Sequence, residues 1–376
     1  MKYRISRIPF NEQQKVVHVI TGLGNGGAEA VLFRTLTATP EINHHVISLT
    51  SAGHYGKRLI ENGIQVTVLG LNARNPLALW RLYEIIRREM PDSVQTWMYH
   101  ADFLGGLAAR LNRVRNVYWS VHHGTPDIRH DRRSTIKIAQ FCASLSSKVP
   151  KRIVFVSNSN RDAHIAFGYE AGRSIVIPNG VDTAVFRPDL DVRKTIREDW
   201  GFKDDVQVVG CVARWHPVKD HKTLINAMSC LAHKRKDLAL ILAGPDMDKS
   251  NPALESALSE LTKLMPIRLL GPQQNIARVL QGLDLHVLPS LGEAFGNTTI
   301  EALACGSRAV MSDTGIARET LPEELIFPPG NLEALAECIH NALESPPIKA
   351  NVPDIFNSTK MWRQLWDGDH RKIIRI

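Results

Sequence analysis

The stretch LPSLGEAFGNTTIEALACG, residues 288–306, follows an apolar run that predicts a buried strand ending at Pro289. Thr298-Thr-Ile-Glu301 has the spacing of a capping box and predicts the first turn of an apolar-periodic helix. The first amides of such a helix carry partial positive charge and suit a phosphate group. Glu293 precedes the helix and Glu301 lies within it, so the two carboxylates would flank a ligand with both phosphate and hydroxyl groups, as in a nucleotide-sugar. Alternatively, Glu301 only caps the helix and Glu293 is a solvated loop acid.

Length and composition indicate a globular protein of two domains. The chain has 376 residues, 44% hydrophobic and 22% charged, which is too long for a single core. Its five cysteines are scattered, without a Cys-x-x-Cys pair, and predict reduced thiols in a cytoplasmic protein and no structural zinc. Lys2, Arg4 and Arg7 precede only a short apolar run, and no run reaches the roughly 18 apolar residues of a membrane span. We therefore expect neither a signal peptide nor a transmembrane helix.

The net charge of +8 is concentrated in the first half of the chain. Residues 1–188 carry 24 basic against 13 acidic side chains (+11), and residues 189–376 carry 22 against 25 (−3). A basic half indicates an anionic partner, such as a diphosphate or an acidic lipid, although it is also compatible with simple solvation. A helix predicted around Ile136–Leu145, flanked by Lys137 and Lys148, suits a membrane surface or, alternatively, a solvated face. Aromatic residues that could stack bases do not accompany the charge, so we expect no nucleic acid.

Near the N-terminus, the strand Val16–Ile20 leads into a glycine-rich loop. Gly22, Gly24 and Gly27 fit the G-x-G-x-x-G pattern of a dinucleotide-binding turn. That interpretation requires an acidic residue after the second strand to hold the ribose, and Thr50-Ser51 stands there instead. An NAD-dependent oxidoreductase is therefore the weaker alternative.

Strands and helices alternate along both halves, which predicts parallel sheets covered by helices on both faces. The strand Val117–Val121 delivers His122 and His123 to its carboxyl end, where ligands gather in such sheets. In the second half, the strand 206–213 delivers Arg214 and then Lys219. An arginine binds two phosphate oxygens at once and a lysine adds a point charge, so this pair suits a diphosphate, unless both are ordinary surface charges.

Taken together, these motifs resemble glycosyltransferase family 4, the retaining nucleotide-sugar transferases of the GT-B fold. The resemblance rests on four features: the Glu293-x7-Glu301 signature, the Gly-Gly-Ala-Glu loop ending at Glu29, the Pro-Asn-Gly-Val-Asp segment ending at Asp182, and the Arg214/Lys219 spacing. The resemblance implies an α/β protein with two Rossmann-like domains facing an interdomain cleft. Residues 1–186 would bind the acceptor and residues 187–353 the donor, with a C-terminal helix (354–376) crossing back to the first domain.

The resemblance also implies roles for individual residues. Glu293 would hold the donor sugar, Glu301 the nucleotide ribose, and His122, favoured over His123, would contact the sugar. The expected catalytic residues are Arg214, Lys219, Glu293 and His122. The expected donor-binding residues are Gly26, Gly27, Phe295, Gly296, Asn297, Thr298 and Glu301. The chain departs from the family pattern at Ala213, Trp215, Asp220 and Ile316, where the family has Gly, Leu, Gly and Gly.

The implied reaction moves a hexose from a UDP- or GDP-sugar to a glycan or lipid-linked glycan in surface polysaccharide synthesis. No metal and no further cofactor is expected, although Asp189-Leu-Asp191 and Asp246-Met-Asp248 match the Asp-x-Asp metal motif of another glycosyltransferase fold. The enzyme would be cytoplasmic and would contact the anionic inner face of the cell membrane through its basic N-terminal domain. A nucleotide-sugar epimerase of the same fold is the alternative activity.

Overall fold

The computed structural model describes residues 14–72, 74–128, 131–346 and 352–368. The N-terminal residues Lys2, Arg4 and Arg7, and most of the C-terminal segment after residue 366, lie outside the described residues. Two separate β-sheets organise the described part of the chain.

The first sheet has seven strands in the order β3-β2-β1-β4-β5-β6-β7. Its strands are β1 (Lys15–Ile20), β2 (Asn43–Ser48), β3 (Gln65–Val68), β4 (Ser93–Trp97), β5 (Asn116–Val121), β6 (Arg152–Phe155) and β7 (Ser174–Val176). The helices that alternate with them are α1 (Gly27–Thr37), α2 (Gly53–Glu61), α3 (Leu77–Glu89), α4 (Tyr99–Leu111), α5 (Arg133–Leu145) and α6 (Asn158–Phe167).

The second sheet has six strands in the order β10-β9-β8-β11-β12-β13. Its strands are β8 (Gln207–Val212), β9 (Leu238–Ala243), β10 (Ile267–Leu269), β11 (Leu285–Leu288), β12 (Arg308–Ser312) and β13 (Ile326–Phe327). The helices of this part are α7 (Leu190–Trp200), α8 (His221–Lys234), α9 (Pro252–Leu258), α10 (Ile276–Gln281), α11 (Asn297–Ala304), α12 (Ala317–Thr320), α13 (Leu332–Glu344) and α14 (Ile355–Trp366).

The pairings among β1–β5 and among β8–β13 are parallel, as the alternation predicted. Strand β9 shows why: its sequence LALILA is buried at all six positions because helices cover both faces. In each sheet the strand order reverses next to the first strand, between β1 and β4 and between β8 and β11. Ligands of such sheets bind at these reversal points, beyond the carboxyl ends of the strands. The loops that carry Lys219 and Glu293 follow β8 and β11, the two strands at the second reversal point.

Contacts between Cα atoms group the chain into two compact units. One contains the described residues up to Ser120, residues Leu145–Ile153, and the described residues from Trp362 onward; the other contains Val121–Ser144 and Val154–Met361. The domain boundary near Phe186 stays a prediction.

The two ends of helix α14 contact different parts of the chain. In the first unit, the ring of Trp362 packs 5.4 Å from that of Trp97 on β4, and Trp366 lies 5.5 Å from His18 on β1. In the second unit, the Val181 amide donates to the Pro353 carbonyl. Gly180 is needed beside this contact because a Cβ there would overlap the backbone of Ile355. Gly180 of the Pro-Asn-Gly-Val-Asp segment thus permits a close backbone approach.

Candidate active site

The structure brings together Lys219 and Glu293, two of the four predicted catalytic residues. The Lys219 ammonium forms an ion pair with Glu293 Oε1, and the Ser290 hydroxyl donates to the same oxygen at 2.6 Å. The two loops are also joined through their backbones, because the Leu291 amide donates to the Val218 carbonyl at 2.7 Å. The side chains are only 21% and 12% exposed, so the pair is shielded from most solvent screening.

Asp220 explains one departure from the family pattern. It adopts a left-handed conformation (φ 44°, ψ 46°), which the family's glycine adopts without strain and which aspartate tolerates better than most residues. Its carboxylate accepts the Thr223 hydroxyl at 2.6 Å and the Thr223 amide at 3.4 Å, and so caps helix α8. The negative charge is therefore engaged at the helix start.

His221, which the sequence motifs did not single out, holds the backbone at Arg214. Its Nε2 lies 2.9 Å from the Arg214 carbonyl, and its Nδ1 lies 3.7 Å from Cys211 Sγ. The Trp215 ring stacks on the imidazole at 5.2 Å with an interplanar angle of 8°. Burial lowers the pKa of His221 to about 4, so the ring is neutral. A carbonyl can only accept, so the proton is on Nε2, and Nδ1 is left to accept from the Cys211 thiol.

The side chain of Arg214 itself is exposed and makes no hydrogen bond or ion pair with any residue that the structure describes. Arg214 follows the end of β8 after Ala213. Gly244 lets its own backbone pass close to this segment, because a Cβ on Gly244 would overlap the Ala213 carbonyl. The structure thus positions the backbone of Arg214 firmly and leaves its guanidinium available to a ligand.

The predicted capping box at Thr298 is wrong. Helix α11 begins at Asn297, and its N-cap is Gly296, in a left-handed conformation (φ 103°, ψ 52°) without a side-chain cap. Glycine is favoured here because other residues rarely adopt this left-handed φ, and a Cβ would also lie 2.6 Å from Met311 Cε. The helix therefore starts two residues before the motif indicated, and the amides of Asn297 and Thr298 belong to the first turn, which has no intrahelical acceptors. Glu301 is buried in this helix, 8% exposed.

Two contacts fix the loop between Glu293 and α11. The Asn179 side-chain amide donates to Asn297 Oδ1 at 3.0 Å, which ties the Pro-Asn-Gly segment to the helix start. On the other side, Gly315 (φ 55°) passes so close that a Cβ would overlap the Phe295 carbonyl. The next residue, Ile316, donates its amide to the same carbonyl at 2.9 Å and is 2% exposed. Only the first glycine of the family's pair is thus required by the backbone, which accounts for Ile316.

The loop after β5 also approaches Glu293. A Cβ on Gly124 would lie 3.6 Å from the backbone carbonyl carbon of Glu293. Burial lowers the pKa of His122 to about 3, so its imidazole is neutral. The ring of His123 lies 2.8 Å from the Gly124 carbonyl through Nδ1 and 3.3 Å from Asp131 through Nε2.

Gly26 and Gly27, the two predicted donor-binding glycines, lie in the first unit at the start of helix α1, with Gly26 as its N-cap. The Glu29 carboxylate folds back over this turn, since a Cβ on Gly26 would overlap it. A carboxylate thus already occupies the space beside the helix start, which complements the helix dipole. This makes the turn a poorer phosphate site than the sequence indicated, and the donor role of the two glycines stays a prediction.

His286, in the middle of β11, was also missed. The residue is fully buried, and neither ring nitrogen has a hydrogen-bond partner among the described residues. Burial, with a smaller contribution from the Lys219 charge, lowers the pKa of His286 to about 3. An unsatisfied buried polar group costs about 1–3 kcal/mol.

Within the described ranges, no cluster of three or more His, Cys, Asp or Glu side chains could hold a metal ion. No described helix is both long and apolar enough to cross a membrane.

Two parallel β-sheets covered by helices define two Rossmann-like domains, and comparison with known proteins identifies the family. A model of "Glycosyltransferase Family 4" matches residues 25–185, and one of "Glycosyl transferases group 1" matches residues 206–345. The chain belongs to glycosyltransferase family 4, group 1, and has the GT-B fold.

Similar proteins of known name are also glycosyltransferases. The N,N'-diacetylbacillosaminyl-diphospho-undecaprenol alpha-1,3-N-acetylgalactosaminyltransferase of Campylobacter jejuni is 24% identical over 88% of this chain and 90% of its own. The GDP-mannose-dependent alpha-(1-6)-phosphatidylinositol dimannoside mannosyltransferase of Mycobacterium tuberculosis is 25% identical over 88% of both chains. Among solved structures, Anabaena Alr3699/HepE in complex with UDP and glucose superposes with a TM-score of 0.77 at 20% identity, covering 96% of this chain and 98% of HepE.

Proposed function

We propose that this glycosyltransferase moves a hexose from a nucleoside diphosphate sugar to a hydroxyl of a glycan or lipid-linked glycan, with retention of anomeric configuration. One observation carries the proposal: Lys219 and Glu293 meet in a shielded pair where the strand order of the second sheet reverses. A cation there suits the diphosphate, and a carboxylate beside it suits the sugar hydroxyls.

In this mechanism the bond between the anomeric carbon and the diphosphate breaks while the acceptor oxygen bonds to the same face of that carbon. Arg214, Lys219 and the first amides of α11 stabilise the negative charge that grows on the departing diphosphate. A phosphate oxygen takes the acceptor proton, so the products are the glycoside and the free nucleoside diphosphate. Because Lys219 and Arg214 both follow β8 and could neutralise the departing diphosphate, we propose that the reaction needs no metal.

Glu293 and the neutral His122 orient the sugar. Glu293 reaches the substrate by exchanging its bond with Lys219 for bonds to sugar hydroxyls while the lysine moves to phosphate. Since Ser290 also donates to Glu293, the carboxylate stays oriented during that exchange. Glu301 holds the nucleotide ribose.

The named relatives support a membrane-bound acceptor, because one acts on an undecaprenol-linked glycan and another on a phosphatidylinositol mannoside. They leave the nucleotide open, since one uses GDP-mannose and HepE was crystallised with UDP. We propose a role in surface polysaccharide or glycolipid synthesis at the cytoplasmic face of the cell membrane.

The test begins with thermal shifts against UDP, GDP and ADP, because a ligand at about 100 times its Kd adds roughly 2.7 kcal/mol of stability. The matching nucleotide-sugars are then incubated with lipid-linked acceptors, with and without EDTA, and the new linkage is assigned by NMR. We expect EDTA-resistant transfer with a retained anomeric configuration. An altered free nucleotide-sugar in the absence of acceptor would instead show an epimerase, and a nicotinamide-dependent absorbance change an oxidoreductase.

A further inference from the structure

The turn between β6 and α6 has four consecutive polar side chains, Ser157-Asn158-Ser159-Asn160. Ser157 is the N-cap of α6, and its hydroxyl oxygen accepts the Asn160 amide at 3.1 Å. Capping needs only this one acceptor oxygen. The side-chain donors of the turn therefore remain for contacts with other parts of the chain.

The two serine hydroxyls donate to segments that lie next to Glu293. Ser157 Oγ donates to the Ala294 carbonyl at 2.9 Å, and Ser159 Oγ donates to the Gly315 carbonyl. Gly315 is close to the catalytic loop, since a Cβ on it would lie 3.0 Å from the Glu293 Cβ. A carbonyl can only accept, so each serine uses its single proton for the backbone beside the predicted sugar-binding carboxylate.

Asn160 connects the same turn to the histidine loop. The residue is 2% exposed, and its Nδ2 donates to the His123 carbonyl, 37 positions earlier in the chain, at 2.9 Å. His123 directly follows His122, the predicted sugar contact, and Gly124 packs against the backbone of Glu293. The turn thus holds the histidine loop and the Glu293 loop at the same time.

Asn158 makes a two-point contact with Glu319 on α12. Its backbone amide donates to Glu319 Oε1 and its Nδ2 donates to Glu319 Oε2, both at 2.8 Å. Both side chains are exposed, whereas Val156, just before the turn, packs with Phe295 and Ile316 in one buried apolar cluster. The two-point contact therefore orients α12 at the rim of an apolar core that already joins the turn to the catalytic loop.

The loops that the turn holds lack regular structure of their own. Residues 289–296 and 122–128 contain neither helix nor strand. Groups that act on a substrate have to be held within about 0.5 Å, and a displacement of about 1 Å can cost about 10²-fold in rate. Contacts from outside these loops have to supply that precision, and the polar turn contacts both of them.

We propose that the polar turn before α6 positions the sugar-binding side chains for the transfer reaction. Its positioning residues are Ser157, Asn158 and Asn160. They do not contact the substrate but hold Glu293 and His122 in the arrangement that orients the donor sugar. The inference rests on the roles proposed for Glu293 and His122.

The proposal separates two measurable quantities. The cations proposed to bind the diphosphate follow β8, and neither Arg214 nor Lys219 is bonded to the polar turn in the described part of the chain. Loss of the contacts of the turn should therefore lower kcat and leave the Kd of the nucleoside diphosphate within about threefold.

The first experiment measures kcat, the Kd of the nucleoside diphosphate by calorimetry, and unfolding in urea for Ser157→Ala and Asn160→Leu. We expect kcat to fall by about tenfold to 10²-fold in each variant. The matched control is Asn331→Ala, which removes the N-cap of α13, where the Asn331 side chain accepts the Ala334 amide at 3.0 Å. This control should lose stability through its missing cap but keep its kcat.

The second experiment uses the exposed Asn158–Glu319 contact, where a substitution leaves the core untouched. Asn158→Asp places two carboxylates against each other and should lower kcat about tenfold. Adding Glu319→Gln supplies an amide that donates to the new aspartate, so the double variant should return to within about twofold of the unsubstituted enzyme. A rescue of this kind shows that the contact itself sets the rate.

Three outcomes would overturn the proposal. The folded Ser157→Ala and Asn160→Leu variants would keep their kcat, or Asn331→Ala would lose as much kcat as Ser157→Ala does, so that the rate only follows stability. Alternatively, the Kd of the nucleoside diphosphate would rise as much as kcat falls. The product that the unsubstituted protein makes from the nucleotide-sugar tests the proposed function, whereas the ratio of kcat between variant and unsubstituted protein tests the turn, so the two failures are told apart.

Discussion

Replacing His221 tests whether the backbone at Arg214 has to be held for the enzyme to use its donor. His221→Leu removes the Nε2–H that donates to the Arg214 carbonyl at 2.9 Å, whereas His221→Gln places an amide N–H near the same point. Both variants lose the stacking on Trp215, so they differ chiefly in this hydrogen bond.

The structure sets the size of the two effects. Leaving the Arg214 carbonyl without its donor should cost His221→Leu about 1–3 kcal/mol of unfolding free energy. A displacement of Arg214 by about 1 Å should lower kcat/KM for the donor by up to about 10²-fold. His221→Gln should recover most of both losses.

The assay pairs urea unfolding with steady-state kinetics on the nucleotide-sugar. If His221→Leu loses the expected stability but keeps kcat/KM for the donor within about threefold, the hydrogen bond serves the fold alone and the positioning role is refuted.

Three further substitutions or conditions test other parts of the structure. His286→Leu should raise the unfolding free energy in urea by about 1–2 kcal/mol because it removes an unsatisfied buried group; a loss would reveal a buried partner of the ring. Burial lowers the pKa of His44 to about 4. The free energy of unfolding should therefore keep the full contribution of this residue above about pH 6.5 and should fall by roughly 1.4 kcal/mol per pH unit from there down to pH 4. His44→Gln should lower by one the number of protons taken up on unfolding in this range. Gly315→Ala should lower the free energy of unfolding by at least about 1–2 kcal/mol and should lower activity, because the left-handed conformation of Gly315 and the Phe295 carbonyl exclude a Cβ. In Gly292→Ala the Cβ would meet open space, so stability and activity should be nearly unchanged.

The main features of the fold and the meeting of Lys219 with Glu293 could be predicted because they depend on local patterns. Apolar runs alternating with helical periodicity fix a parallel sheet, and parallel strands bring their carboxyl ends to one edge. Lys219 and Glu293 each follow a central strand of that edge, so their meeting follows from topology. The sequence could not show that the two are bonded to each other, because that depends on how the loops fold.

The features that were missed depend on partners without a sequence signal. His221 bonds a backbone carbonyl, which any residue supplies, so no motif reveals it. The start of α11 was misplaced because a left-handed Gly296 decides it, while the capping-box rule considers only side chains.

The central claim is that cations at the end of β8 stabilise the departing diphosphate, and turnover of purified Arg214→Ala tests it most directly. Arg214 suits this measurement because its side chain makes no hydrogen bond or ion pair in the described part of the chain, so its loss should leave the fold intact. A change at Lys219 would also leave the partly buried Glu293 carboxylate without its ion-pair partner. With Lys222→Ala, an exposed lysine on α8, as the matched control, we expect kcat to fall about 10²-fold or more in Arg214→Ala and to stay unchanged in the control. Equal turnover in a folded Arg214→Ala variant would contradict the account.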